Sequence, residues 1–190
     1  DVHGSRGLGD VYKRQSRSYN NSMRLIIIGP MASGKSVVGK KLSKRLDIDF
    51  YDTDEEIVKK TGVTISHIFD IEGEDKFRLR EMNIFSDLIK KDGCVISTGG
   101  GIVLKEENRE LLKKGTVLYL KTSIQTQLER TMNDKERPLL RGKENKEVTL
   151  RKMAKLRNPL YEKSSNYIIE ETDNSNQTVD NIIKQLNESK

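Results

Sequence analysis

Eight consecutive residues, Gly29-Pro30-Met31-Ala32-Ser33-Gly34-Lys35-Ser36, fit the phosphate-binding spacing G-x-x-x-x-G-K-[ST] without a mismatch. The spacing has a chemical reason. Gly29 and Gly34 permit a tight turn with positive φ, so that successive backbone N–H groups converge on an oxyanion. A helix starting near Lys35, with Val37 in its first turn, adds unbonded N–H groups and the positive end of its dipole. Lys35 is placed to reach the outer phosphates of a nucleotide, and the Ser36 hydroxyl to ligate Mg²⁺. A glycine-bearing turn that binds nothing is the bland alternative. The flanking runs argue against it, with apolar Leu25 to Ile28 before the loop and a helix-like stretch from Val37 to Leu46 after it.

Further groups suited to chemistry follow other strand-like runs. Asp52 and Asp54 come directly after Ile48 to Tyr51, and a period of two would point both to one side. One carboxylate would then sit near hydrated Mg²⁺ and the other would receive or orient a substrate hydroxyl. Alone, the pair could equally be the acidic start of the next helix, with Asp54 as its cap. Arg78 and Glu81 are three residues apart on a helical stretch, so Glu81 can hold Arg78 as a bidentate clamp for a carboxylate. A plain surface ion pair is the competing reading, and Arg80 points elsewhere, to solvent.

Ser97-Thr98-Gly99-Gly100-Gly101 closes another strand, where missing side chains let a ligand approach the backbone; a merely flexible loop is the alternative. No aspartate ends that strand, which leaves Asp52 and Ser36 as the metal ligands. Arg130 and Arg137 bracket the start of a polar, charged segment, 133–147, with the signature of a mobile loop. An arginine on such a loop can swing in and neutralise a transferring phosphoryl group. Arg157 supplies one more guanidinium near a helix end. His67 has no second histidine near it and reads as packing or surface, not zinc chemistry. Cys94, beside Val95 and Ile96, reads as a small core residue.

These groups need a scaffold that gathers strand ends. From Met23 onward strand-like and helix-like runs alternate. The strands are expected at 24–28, 48–51, 94–97, 116–120 and 167–169. The helices are expected at 36–46, 55–60, 64–69, 74–90, 105–113, 123–132, 148–161 (interrupted by Pro159) and 179–186. Val179, Ile182, Ile183 and Leu186 form one apolar face of the last. Five strands with intervening helices predict a three-layer α/β fold, with ligands at the carboxyl ends of the strands.

Size and charge bound the rest. A chain of 190 residues suits one domain with a real core. No run is long and apolar enough for a membrane helix. A single cysteine excludes an internal disulfide and suits a reducing compartment. The net charge of +6 first suggests nucleic acid. The basic residues, however, alternate with acids and lack stacking aromatics, so a basic site for anionic small molecules explains the excess better. Residues 1–22 carry no period and read as a disordered leader or upstream-translation remnant, leaving 23–190 as the domain. A GTPase is excluded by the missing base-reading motif, since Asn145-Lys146-Glu147-Val148 fails at the aspartate. The residues describe a small ATP-dependent kinase with an acidic acceptor. A gluconate-type carbohydrate kinase and a non-catalytic nucleotide-binding regulator are the alternatives.

In this order, Gly29–Ser36, Asp52-Thr53-Asp54, Phe77-Arg78 with Glu81, Gly99-Gly100-Gly101, Arg137-Pro138-Leu139-Leu140 and Arg157-Asn158-Pro159-Leu160-Tyr161 resemble the shikimate kinases, within the nucleoside-monophosphate-kinase-like group. The resemblance spans nearly all of 23–190. It implies a five-stranded parallel sheet in order 2-3-1-4-5, a substrate-binding region at about 55–90 and a lid at about 132–146. The implied reaction is transfer of the ATP γ-phosphoryl to the 3-hydroxyl of shikimate, on the route to chorismate and the aromatic amino acids.

The same resemblance implies that Asp54 binds and activates the hydroxyls, that Arg78 and Arg157 hold the carboxylate, and that Gly100, flanked by Gly99 and Gly101, contacts the ring hydroxyls. Asp52 and Ser36 would keep the Mg²⁺ environment, and Lys35 and Arg137 would stabilise the phosphates. Arg130 and the loop at Asn174 would enclose the adenine. A monomeric cytoplasmic enzyme is implied too, with no nucleic-acid or membrane partner. Two departures stand out: Pro30 follows Gly29 in the phosphate loop, and the adenine-side loop is polar and lacks a proline.

Overall fold

The computed structural model describes residues 23–132, 138–140, 145–170, 172 and 174–188. The expectations for residues 1–22, for Arg137 and for most of the 132–146 lid lie outside them.

Strand β1 (Arg24–Ile28) lies at the centre of a five-stranded sheet. Its neighbours are β3 (Cys94–Ser97) and β4 (Thr116–Lys121), with β2 (Asp49–Asp52) and β5 (Tyr167–Glu170) at the edges. All pairings are parallel and the order is 2-3-1-4-5, as expected. Helix α1 (Lys35–Leu46) follows β1, and α2 (Thr53–Thr61) and α3 (Ile65–Leu88) follow β2. A 3₁₀ turn (Ile102–Leu104) and α4 (Glu106–Leu112) follow β3, and α5 (Ile124–Thr131) follows β4. A second 3₁₀ turn (Pro138–Leu140), α6 (Lys146–Ser164), β5 and α7 (Ser175–Glu188) complete the chain.

Alternation along the central strands builds two cores. Ile26 and Ile28, Cys94 and Ile96, and Val117 and Tyr119 face one layer of helices and meet Ile57, Phe77, Phe85 and Tyr161. Leu25, Ile27, Val95, Leu118 and Leu120 face the other and meet Val38, Leu42, Val179 and Ile182. A strand buried on both faces must be apolar at every position, which is why β1 shows no polar alternation. Each fully buried Leu or Ile contributes about 1.5–3 kcal/mol. The predicted apolar face of the last helix is the one that packs. Helix α7 itself begins at Ser175, a turn before the apolar residues that mark it in sequence.

Two expectations are corrected. Helix α6 runs unbroken through Pro159. The proline removes one N–H, yet the side chains on either side of it, Arg157 and Tyr161, both donate to the Gly100 carbonyl and tie the helix to the β3 end. The two helices expected at 64–69 and 74–90 meet at one residue, Gly73 (φ 82°, ψ 172°), with helix continuing on both sides of it. That conformation is essentially restricted to glycine.

Candidate active site

The carboxyl ends of the strands meet where the chain leaves β1 in one direction and β3 in the other, the place where open parallel sheets bind ligands. The phosphate loop lies there. Gly29 has φ 146° and its missing Cβ would stand 2.6 Å from the Leu120 carbonyl, so glycine is required at that position. Gly34 caps α1 in the left-handed region (φ 82°) and offers no side chain to the first-turn N–H groups. The first turn also has no acidic residue. Among the described residues no capping side chain competes with an anion for the N–H groups at that helix end. Lys35 is buried and donates to the Pro30 carbonyl at 2.6 Å and to Ser33 Oγ at 3.2 Å. Pro30 thus contributes a carbonyl anchor for the lysine, and its lack of an N–H removes nothing from that role.

Asp52 and Asp54 part company. The strand ends at Asp52, whose Oδ1 caps α2 by accepting from Asp54 N (3.0 Å) and Glu55 N (3.4 Å), while Oδ2 accepts from Ser36 Oγ at 2.6 Å. The cap is Asp52, not Asp54, and Asp54 lies in the helix, so strand alternation does not relate the two. Ser97 Oγ stands 3.4 Å from Ser36 Oγ, at the strand end that lacks an aspartate. Asp52 Oδ2 with the Ser36 hydroxyl is a compact pair of oxygen donors. That pair suits Mg²⁺, which keeps waters and takes its other ligands from nucleotide oxygens.

Asp54 Oδ1 is buried with no hydrogen-bond partner among the described residues. Burial first, then repulsion by Asp52 and Glu81, push its carboxyl from 3.8 up to about 7, with Lys35 and Arg78 opposing. Such a group is poised to exchange a proton near neutrality.

Asp54 opens on a cavity of about 330 Å³ lined by Met31, Phe69, Phe77, Arg78, Glu81, the three glycines and Arg157. Arg78 Nη1 donates to Glu81 Oε2 at 2.7 Å, and its Nε and Nη2 donate to Glu74 Oε1 at 3.2 and 2.9 Å. Burial works against the Arg78 charge, but Glu81 and Glu74 outweigh it and hold the guanidinium above its ordinary range. Burial raises the Glu81 carboxyl despite Arg78 and Arg157. Glu81 Oε1 and Arg157 Nε are buried and unpartnered among the described residues. Two buried guanidiniums, the Glu81 carboxylate paired with one of them and the Asp54 carboxyl thus share one small chamber, which can take a polyhydroxylated anion.

The glycine run has a second cause besides ligand access. A Cβ at Gly101 would collide with the Arg78 guanidinium, and one at Gly99 with Glu81 Oε1. These glycines make room for the clamp itself.

Two further chambers join the first. About 320 Å³ lies along Met31, Gly34, Lys35, Ser36, Asp52 and Asp54 up to Arg130, sharing Met31, Asp54, Gly99 and Gly100 with the first. About 300 Å³ continues past Arg130 between Val37, Thr122 and Thr172. Thr122 Oγ1 there is buried and unpartnered among the described residues, a group able to read a base edge. Arg130 Nη1 donates to the Ala32 carbonyl at 2.9 Å, which fixes it at the junction. Asn174 does not line the chamber. It caps α7 by accepting from Asn176 N (2.9 Å) and so positions Ser175 and Thr178, which do.

Four residues take part in ways the sequence reading does not assign. Glu74 carries the i,i+4 spacing to Arg78 that could have revealed it. Phe69 and Phe77 wall the first chamber, where the sequence shows Phe77 only as an apolar anchor beside Arg78 and Phe69 only as a helix end. Tyr161 donates a short hydrogen bond to the Gly100 carbonyl and packs on Tyr119 with centroids 5.1 Å apart. Its position depends on α6 crossing β4, for which no local signal exists. Arg80, expected in solvent, pairs with Glu72.

The family model for shikimate kinase matches residues 31–187. A shikimate kinase of Alteromonas mediterranea is 48% identical over 160 residues, which cover 84% of this chain and 93% of the relative. Among solved structures, shikimate kinase from Acinetobacter baumannii in complex with shikimate has a TM-score of 0.89 at 39% identity, covering 92% of this chain and 98% of that one. Shikimate kinase from Aquifex aeolicus has a TM-score of 0.74 at 36% identity, covering 87% and 96%.

Proposed function

This chain belongs to the shikimate kinase family and phosphorylates shikimate with ATP, and we propose that the three joined chambers divide that reaction between nucleoside, phosphates and acceptor. The observation that carries the assignment is the acceptor chamber itself. It places the unpaired Asp54 carboxylate, with its raised pKa, beside the buried Arg78 and Arg157 and opens directly onto the phosphate loop. Arg78 and Arg157 bind the shikimate carboxylate and orient the ring. Gly99, Gly100 and Gly101 let it lie against the backbone. Asp54 accepts a hydrogen bond from the 3-hydroxyl and takes its proton as the phosphoryl group transfers.

On the donor side, the loop from Gly29 through Val37 cradles the phosphates with its backbone N–H groups, of which Pro30 has none. Lys35 leaves the Pro30 carbonyl to neutralise charge on the outer ones, and Arg137 assists from the lid. Ser36 and Asp52 would hold Mg²⁺, which when bound offsets the phosphate charge. Arg130 and the α7 end anchored by Asn174 flank the adenine. Such chemistry is mostly positioning, and a closed chamber keeps water from competing with the acceptor. The reading places the protein as a monomer in the cytoplasm, on the route to chorismate. A lone, fully buried thiol, Cys94, asks for no oxidising compartment.

The test is coupled ADP release by the purified protein with Mg-ATP and, separately, shikimate, gluconate or no acceptor. Rapid turnover with shikimate alone is expected. Slow hydrolysis indifferent to the acceptor would leave the phosphate loop standing and remove the Arg78–Arg157 clamp.

A further inference from the structure

The bend at Gly73 divides α3 into two arms, residues 65–72 and 74–88. The inner sides of both arms wall the acceptor chamber, with Ile65, Ser66 and Phe69 from the first and Phe77, Arg78 and Glu81 from the second. Phe69 and Phe77 meet across the apex, their ring centroids 4.7 Å apart. The outer sides of the same arms line a separate cavity of about 480 Å³, and there Glu72 of the first arm meets Arg80 of the second. Arg80 Nη2 donates to Glu72 Oε1 at 2.8 Å and to Oε2 at 2.7 Å, and Nε donates to Oε2 at 3.2 Å. Eight residues correspond to about 12 Å of rise in an unbroken helix, beyond the usual i,i+3 and i,i+4 partners. The pair brings together residues of two different arms.

We propose that Glu72 and Arg80 form a clasp across the Gly73 bend that sets the separation of the two arms, and with it the position of Arg78 relative to the opposite wall of the acceptor chamber. The inference rests on reading that chamber as the shikimate site. Arg78 belongs to the second arm and is tied to it through Glu74 and Glu81, so it moves with Arg80. Ser66 and Phe69 belong to the first arm and move with Glu72. A single glycine joins the arms, and glycine opposes rotation least of all residues. The chamber width at Arg78 is therefore an angle that the clasp holds from outside. Glu72 and Arg80 are positioning residues and touch neither substrate.

The expected size follows from exposure. The two side chains are 35% and 40% exposed, and exposed pairs contribute at most about a fivefold effect, with paired contacts near the upper end. Arg80→Gln and Glu72→Gln should each raise the KM for shikimate about three- to fivefold. The KM for ATP and kcat should stay within about twofold, because Lys35, Asp52 and Asp54 stand on other elements. The exchanged pair, Glu72→Arg with Arg80→Glu, should return the shikimate KM to within about twofold of the unaltered protein.

A role in folding alone would lower Tm and move both Michaelis constants together, without recovery in the exchanged pair, and that pattern would overturn the clasp. An unmoved shikimate KM in both single variants would overturn it as well. Absence of shikimate turnover by the unaltered protein would remove the functional reading and the clasp together, so the two failures are distinguishable.

Discussion

Asp54 occupies a position where its charge is expensive and useful at once. Its buried Oδ1 has no partner among the described residues, and Asp54 lines both the chamber proposed for the acceptor and the one along the phosphate loop. Asp54→Asn keeps the shape and removes the base, so kcat should fall at least ~100-fold. Mg-ATP affinity by calorimetry should barely change, since Ser36 and Asp52 remain. Turnover within tenfold of the unaltered protein would strip Asp54 of its role. Arg78→Ala should raise the shikimate KM about 10- to 100-fold, the range for a hydrogen bond to a charged group, and leave the ATP KM alone. It also strands buried Glu81, so Arg78→Lys is the variant that separates lost recognition from lost stability. A Lys variant that binds shikimate as well as arginine does would show that charge alone suffices and the planar fork does not matter.

At this scale the sequence is informative wherever chemistry is local. Phosphate-loop spacing names eight residues at once, and three-residue spacing joins Arg78 to Glu81. Glu74 obeys a similar rule but is one of many i,i+4 charge pairs in a chain rich in both signs. Tyr161 reaches the Gly100 carbonyl from 61 residues away, a relation that only packing creates.

Elements carry a different kind of information. The three inner strands are legible because burial on both faces demands apolar runs, whereas the edge strands β2 and β5 are only partly buried and show shorter ones. The order of the strands is not local; it is legible only through the resemblance. Helix starts shift by one or two residues where capping decides them. Asp52 moves the start of α2 back to Thr53, and Gly34 moves the start of α1 back to Lys35. The 3₁₀ turn at Ile102–Leu104 has no periodicity to announce it, being one turn long. Gly73 is the element-scale position with a consequence. A Cβ there would touch nothing within 4 Å, so the cost of Gly73→Ala is conformational, about 1–3 kcal/mol for a side chain forced into that backbone region. Denaturant unfolding should show that loss, and the shikimate KM should rise as the arms change angle. A neutral substitution would mean that the bend relaxes without cost and does not shape the chamber.

At the scale of the whole molecule, the role proposed for Asp54 opposes stability through the same carboxyl group. The Asp54 pKa is raised from 3.8 to about 7 in the folded protein. For an acid raised on folding, the folded state binds the proton more tightly than the unfolded state. Stability is therefore fully present below pH 4 and is lost as pH rises through about 7. That displacement corresponds to about 4 kcal/mol at most, a large share of the net stability of a domain this size. With EDTA present and no nucleotide, the unaltered protein should lose Tm between pH 5 and pH 8 relative to Asp54→Asn, which has no charge to bury. The two should converge toward pH 4. Adding Mg²⁺ should narrow the gap at pH 8, because a nearby cation favours the ionised carboxylate and binding of any ligand stabilises the folded state. The inactive variant should thus be the more stable protein at the pH where the active one works. A pH-independent Tm difference would show that the carboxylate is solvated in the folded state, and would remove the electrostatic reason for its readiness to take a proton.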